Sequence, residues 1–221
     1  MPIKVPEGPR DERFLFLSDV LPTAWQSVVY AGVPDGGTLL VLGLGPIGDM
    51  ATRIAVHQCF RVIAVDLVPE RLARARARGA EVIDMNAVDD VAEEVCSLTQ
   101  GRGADSVIDA VGMEAHGSPV AAAGQKLFGA LPKKLSVTIM TKLGLDRMTS
   151  LYTAIDAVRR GGTISVIGVY GGQTHPMPML TLFDKQIQLR MGQANVKRWV
   201  DDIMPLLTGS DDPLGVDDFA T

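Results

Sequence analysis

Between Thr38 and Asp66 the chain passes from an uninterrupted apolar run into a glycine-rich turn, an amphipathic run, a second apolar run and a single acid. Leu39, Leu40, Val41 and Leu42 form the short apolar segment that a strand covered on both faces requires. Gly43-Leu44-Gly45-Pro46-Ile47-Gly48 follows at once and reads as a tight turn opening a helix. In such a turn Gly43 permits the sharp exit from the strand, Gly45 admits close approach of a ligand to the backbone, and Gly48 lets the helix lie against the sheet. Ile47, Met50, Ala51, Ile54 and Ala55 repeat at the spacing of one buried helical face. Pro46 sits at a first-turn position, where proline is tolerated.

Arg61-Val-Ile-Ala-Val-Asp66 is the next expected strand, and it ends in a carboxylate about twenty residues beyond the glycines. A pyrophosphate at the helix amino end would meet free N–H groups and the positive end of the dipole. An acid at position 66 would accept hydrogen bonds from the adenosine ribose and repel the extra phosphate of NADP, so the pattern predicts NAD. A glycine-rich turn that binds nothing does not explain why the second strand stops at an acid.

The remaining chain alternates in the same way. A short helix is expected from about Thr23 to Tyr30, and a second after Pro69, with Leu72, Ala73, Ala75 and Ala77 inward and Gly79 as its stop. Glu81–Asp84 reads as a strand, Asp89–Thr99 as a helix with Val91, Val95 and Leu98 inward, and Asp105–Gly112 as a fourth strand. Residues 113–148 break the rhythm and are expected to be an insertion. A helix over 150–160 stopped by Gly161-Gly162, a strand over 163–170, a sixth strand near 186–191 and a helix over 196–207 complete the pattern. Strands alternating with helices predict an α/β fold, a doubly wound parallel sheet of about six strands with helices on both faces. Residues 1–17, rich in Pro, Gly and charge, are expected to be a connecting segment, and 18–221 the nucleotide-binding domain.

Composition narrows the remaining classes. A net charge of −5 gives no general attraction to nucleic acid or anionic lipid. The basic cluster Arg71, Arg74, Arg76 and Arg78 fits a solvated helical face better than a nucleic-acid patch. No apolar run approaches the ~20 residues of a membrane span, and the amino end lacks the apolar core of a signal peptide, so a cytoplasmic location is expected. Cys59 and Cys96 have no neighbouring Cys for a metal knuckle and are expected to be buried thiols. His57 is expected in packing and His175 in a loop.

VLGLGPIG at 41–48, VIAVDLVPERLARAR at 62–76, VIDAVG at 107–112, RRGGTISVIGVYGG at 159–172 and SDVLPTAW at 18–25 together resemble the zinc-dependent medium-chain dehydrogenases. The likeness is to their alcohol dehydrogenase and glutathione-independent formaldehyde dehydrogenase branch. It covers the chain from about residue 3 onward and matches only the family's central Rossmann-type domain. The Cys ligand, the Gly-His-Glu stretch and the four-cysteine lobe of the family's catalytic domain have no counterpart here, so an excised or truncated cofactor domain is expected.

The resemblance implies specific roles. Asp19 matches an acid that ligates the catalytic zinc, although one ligand cannot hold the metal and Asp19 equally suits a helix cap ahead of Thr23. Thr23 matches a threonine near the nicotinamide, or is itself a cap. Gly43, Gly45, Pro46, Ile47 and Gly48 would hold the pyrophosphate, Asp66 the ribose, and Arg71 would lie beside it. Val111 would cover the adenosine side, His116 is a looser polar contact or a surface histidine, Ile167, Gly168 and Val169 would meet the nicotinamide carboxamide, and Gln193 would touch the cofactor.

In the parent enzyme that the resemblance implies, zinc lowers the pKa of a small alcohol or aldehyde hydrate and the hydride passes to NAD. The chain alone is expected to bind NAD(H) without turnover, and relatives of this kind pair through sheet edges, so a homodimer or tetramer is expected, with the strand at 163–170 as an exposed edge. Two alternatives remain open: a non-catalytic NAD-sensing or assembly module, and an S-adenosylmethionine methyltransferase. The second fits less well, because an acid usually precedes the glycines in that class and Leu42 stands there.

Overall fold

The computed structural model describes residues 3–111, 148–170 and 177–219. Its core is a six-stranded parallel sheet of β1 (Thr38–Leu42), β2 (Arg61–Asp66), β3 (Glu81–Asp84), β4 (Ala104–Asp109), β5 (Val158–Val166) and β6 (Gln188–Met191), in the order β3-β2-β1-β4-β5-β6. The helices are α1 (Val20–Ala31), α2 (Pro46–His57), α3 (Pro69–Ala77), α4 (Val91–Leu98), α5 (residues 148–157), α6 (Met179–Lys185) and α7 (Val196–Thr208).

Side-chain alternation along the strands sorts the interior into two layers. Leu39 and Val41 of β1, Val62 and Ala64 of β2 and Ile108 of β4 pack with α1, α2, α3 and α7, whose contributions include Val28, Ile54, Leu72 and Ile203. Leu40, Leu42, Ile63, Val65 and Val107 point the other way, onto Val95 of α4, Ile155 of α5 and Leu182 of α6. Each central strand is therefore apolar on both sides, and the expected doubly wound sheet is observed. The order reverses between β1 and β4, and sheets of this kind bind ligands in the crevice at such a point, beyond the carboxyl ends of the strands.

Several boundaries differ from those expected. The fifth helix ends at residue 157, and Gly161-Gly162 lies inside β5. Pairing there jumps from Ala104↔Val158 to Ser106↔Thr163, so β5 bulges, and Gly162 approaches so closely that a Cβ would lie 2.8 Å from the Asp105 carbonyl oxygen. The strand ends at Val166 because Ile167 and Gly168 donate their N–H groups to the Asp109 carbonyl at 3.0 and 2.9 Å, which bends the chain across β4. β5 is not the exposed edge either: β6 pairs outside it. On α3 only Leu72 and Ala75 are buried, since Ala73 and Ala77 turn to solvent.

Residues 11–18, within the expected connecting segment, form a 3-10 helix that buries Leu17 in the core. Arg13 clamps this helix to the chain's last described turn through both oxygens of Asp217, at 2.8 and 2.6 Å. His57 and Cys59 are both exposed, where α2 gives way to a turn with Cys59 at φ +62, rather than packed. Cys96 is half-buried. Of the expected insertion over 113–148, residues 113–147 with His116 lie outside the described residues, as do Gly112 and the loop with His175, whereas Met148 is the buried first residue of α5. No described helix is long and apolar enough to cross a membrane.

Candidate cofactor site

The turn after β1 is built by two steric requirements. Gly43 adopts φ +83, and a Cβ there would also press on the Val111 side chain at 3.0 Å. Gly48 lies against the turn so tightly that a Cβ would overlap the Gly43 carbonyl oxygen at 1.9 Å. Gly45 differs: it caps α2 with extended backbone, and nothing lies within 4 Å of the direction a side chain would take. That open space is the cradle a diphosphate would fill, at the amino end of a twelve-residue helix.

Asp66 lies behind this turn, only 6% exposed. Oδ2 accepts the Leu44 N–H at 2.6 Å and lies 3.5 Å from the Arg71 guanidinium, while Oδ1 accepts the N–H groups of Leu67 and Val68 at 2.8 Å. The acid at the end of the second strand thus holds the glycine turn in shape, a role the sequence pattern did not disclose. A cleft of ≈ 260 Å³ opens here, lined by Gly45, Pro46, Asp49, Arg71, Arg74 and Phe219 among others.

Asp49, in the first turn of α2, would by itself oppose a bound anion. It pairs instead with Arg53 at 3.0 Å, both side chains almost fully buried. Arg53 also donates to the carbonyls of Leu214 and Gly215 at 3.2 and 2.5 Å and stacks on Phe219, so the 214–219 stretch forms one wall of the cleft. Nothing in the local sequence pattern marks this distant contact.

On the other side of β1, the carboxyl end of β4 carries Asp109. Its buried carboxylate accepts the Ser150 hydroxyl at 2.9 Å, the Val111 N–H at 3.2 Å and the Tyr170 hydroxyl. Burial pushes this carboxyl above the usual Asp range despite those hydrogen bonds, and burial beside the carboxylate raises Tyr170 as well. Ile167 and Gly168 have spent their N–H groups on Asp109, so what they offer a carboxamide is carbonyl oxygen. Val169 is 69% exposed beside them.

Gln193 is exposed on the loop after β6. That loop is held by a residue the sequence reading missed: Gln26 of α1, fully buried, donates to the carbonyls of Gly192 and Gln193 and accepts from the Asn195 N–H and the Trp199 indole. A glutamine amid an apolar helix face was the available signal.

Asp19 is exposed at the start of α1, its Oδ1 accepting the buried Thr23 hydroxyl at 3.1 Å rather than a helix N–H. Among the described residues no group of three or more His, Cys, Asp or Glu could hold a metal, so Asp19 has no partner ligands there. The structure thus brings Gly45, Pro46 and Arg71 together at one cleft, with Asp66 bonded to its lining through Leu44 and Arg71, keeps Gly43, Ile47 and Gly48 in the turn and helix end behind it, and gathers Val111, Ile167 and Gly168 around Asp109.

Comparison with known proteins agrees with this fold. The profile described as zinc-binding dehydrogenase matches residues 46–147. A probable zinc-binding alcohol dehydrogenase of Mycobacterium tuberculosis is 38% identical over 93% of this chain and 44% of its own length. A glutathione-independent formaldehyde dehydrogenase of Pseudomonas aeruginosa is 32% identical over 68% of this chain and 39% of its own. The solved alcohol dehydrogenase of Thermus sp. ATN1 superposes with a TM-score of 0.74 at 28% identity, covering 96% of this chain and 53% of that one. The chain spans about half the length of the curated relatives it matches. Glycine turn, sheet order and sequence similarity together place this chain among the zinc-binding dehydrogenases, as their nucleotide-binding domain.

Proposed function

We propose that the chain binds NAD(H) and presents its nicotinamide for hydride transfer in a zinc-dependent alcohol or aldehyde dehydrogenase. The observation that carries this reading is Asp66, a buried carboxylate held against Leu44 and Arg71, two residues that line the cleft opened by Gly45. Among the described residues Arg71 is the one partner of Asp66 that is not backbone, it is half-exposed, and it can swing away to leave Oδ2 for a ribose hydroxyl. A 2′-phosphate in that position would meet the carboxylate, which favours NAD over NADP. Zinc, when bound in the parent protein, would polarise the alcohol oxygen; Asp19 is the residue of this chain that could contribute a ligand.

Pairing of two copies through β6 accords with the same family. Among the described residues that strand is a sheet edge with Met191 61% exposed, and Met179 (65% exposed), Leu180 (81%) and Phe183 (83%) of the preceding α6 are exposed apolar side chains. A cytoplasmic location remains part of the proposal.

Fluorescence titration with NADH and NADPH tests the cofactor assignment. Saturable binding of NADH, at least about tenfold tighter than NADPH, is expected from one lost contact and one added repulsion. Equal affinity for the two, or no binding of either, would refute it.

A further inference from the structure

Asp109 has no part in the chemistry proposed above, yet every polar group of its main chain and side chain that can accept a proton is committed to residues around the carboxyl end of the sheet. Its carbonyl takes the N–H groups of Ile167 and Gly168, and its carboxylate takes Val111, Ser150 and Tyr170. These donors come from three places in the sequence: the exit of β4, α5 and the exit of β5. Among the described residues no cation faces the carboxylate, in contrast to the chain's other buried acids: Asp49 pairs with Arg53, Asp66 with Arg71, and Asp105 with Arg102 and Arg159.

A group that served only to cross-link the core would be more stable with such a partner or with an apolar side chain of the same size. A hydroxyl partner serves a different purpose, because Tyr170 directly follows the segment on which a nicotinamide would rest, one position beyond the exposed Val169. Holding the tyrosine oxygen on Asp109, while the same residue's carbonyl holds 167 and 168, fixes the segment at both ends. Its carbonyl oxygens then keep one orientation before any ligand arrives.

The geometry points to Asp109 and Tyr170 as a positioning pair that sets the 167–170 segment for the nicotinamide carboxamide and leaves the adenosine half of the cleft untouched. This inference rests on the NAD(H) reading and deepens it. The adenosine half has its own anchor in Asp66, on the far side of β1. The two halves of one cofactor are therefore gripped by two acids on strands flanking β1, and each half can be perturbed separately.

ADP-ribose, which has the adenosine and diphosphate of NADH but no nicotinamide, separates the two. The full chain and its Tyr170→Phe variant are titrated with ADP-ribose by calorimetry and with NADH by fluorescence. The wild-type chain should bind both. Tyr170→Phe should bind NADH about five- to tenfold more weakly, the loss of one hydrogen bond to a charged group, with ADP-ribose unchanged within about twofold. Unchanged NADH binding in the variant, or equal loss of both ligands, overturns the inference while leaving the cofactor reading in place. Failure of the wild-type chain to bind ADP-ribose overturns the cofactor reading and the inference with it. If Tyr170→Phe loses its cooperative melting transition, Asp109→Asn takes its place, with the same selective loss expected and the same results counting against it.

Discussion

β4 carries two buried aspartates, Asp105 near its start and Asp109 at its end, on the same face of the strand and in opposite surroundings. Asp105 accepts the Thr38 N–H at 2.9 Å and hydrogen bonds from Arg102 and Arg159. Burial works against its charge, but the Thr38 amide and the two guanidinium groups more than offset this and hold its carboxyl below the usual range. Asp109 is surrounded by hydroxyls and amides, and burial leaves its carboxyl above that range. The amino end of β4 is bolted by ion pairs, whereas at its carboxyl end hydroxyls and amides tie the exits of β4 and β5 together. Under the proposed function, fold stability and ligand placement fall to opposite ends of one strand.

The comparison breaks most visibly at the bolted end. Asp105→Ala removes the acceptor for a buried Thr38 N–H and two guanidinium groups, and is expected to cost about 3 kcal/mol in urea denaturation. NADH affinity, measured where the variant remains folded, should stay within about twofold of wild type. A large loss of affinity with little loss of stability would show that the two ends are not separate.

Gly48→Ala probes the ligand end. A methyl group 1.9 Å from the Gly43 carbonyl oxygen forces α2 away from the turn, at a cost of about 2 kcal/mol. Here NADH binding should fall with stability, because the displaced helix end is itself the proposed phosphate site. Retention of wild-type affinity in calorimetry would mean that the diphosphate does not lie on that turn.

The smallest effect sharpens the contrast through pH. Asp109 has a folded-state pKa raised above its unfolded value of about 4, so its contribution to stability is complete below that pH and declines as pH rises through the folded value. Asp105, with a lowered pKa, contributes fully above that pH and loses its contribution as pH falls through the folded value. Asp109→Asn should therefore flatten the decline on the rising side and leave the acid side unchanged. Identical pH profiles for wild type and Asp109→Asn would contradict the assignment.

Much of this architecture was legible in the sequence because it depends on local pattern. The run Leu39–Leu42, the spacing of Gly43, Gly45 and Gly48 and the acid at 66 together specify strand, turn, helix and strand, and each is found where expected. What escaped depends on partners far apart in the chain. Asp105 and Asp109 look alike in sequence, and Arg159 and Tyr170, two of the partners that distinguish them, lie more than fifty residues on. The entry to β5 was misplaced because Gly161-Gly162 resembles a helix stop, while here close approach to the Asp105 carbonyl demands the small residue. Gln26 carried no motif at all, since its four hydrogen bonds are made to residues 192–199.

Determination of the structure with NADH bound tests the central claim most directly. The diphosphate is expected over Gly45 at the amino end of α2, with a ribose hydroxyl on Asp66 Oδ2 and Arg71 displaced from it. A cofactor bound elsewhere, or a ribose that leaves the Asp66–Arg71 pair intact and makes no contact with the carboxylate, would contradict the account.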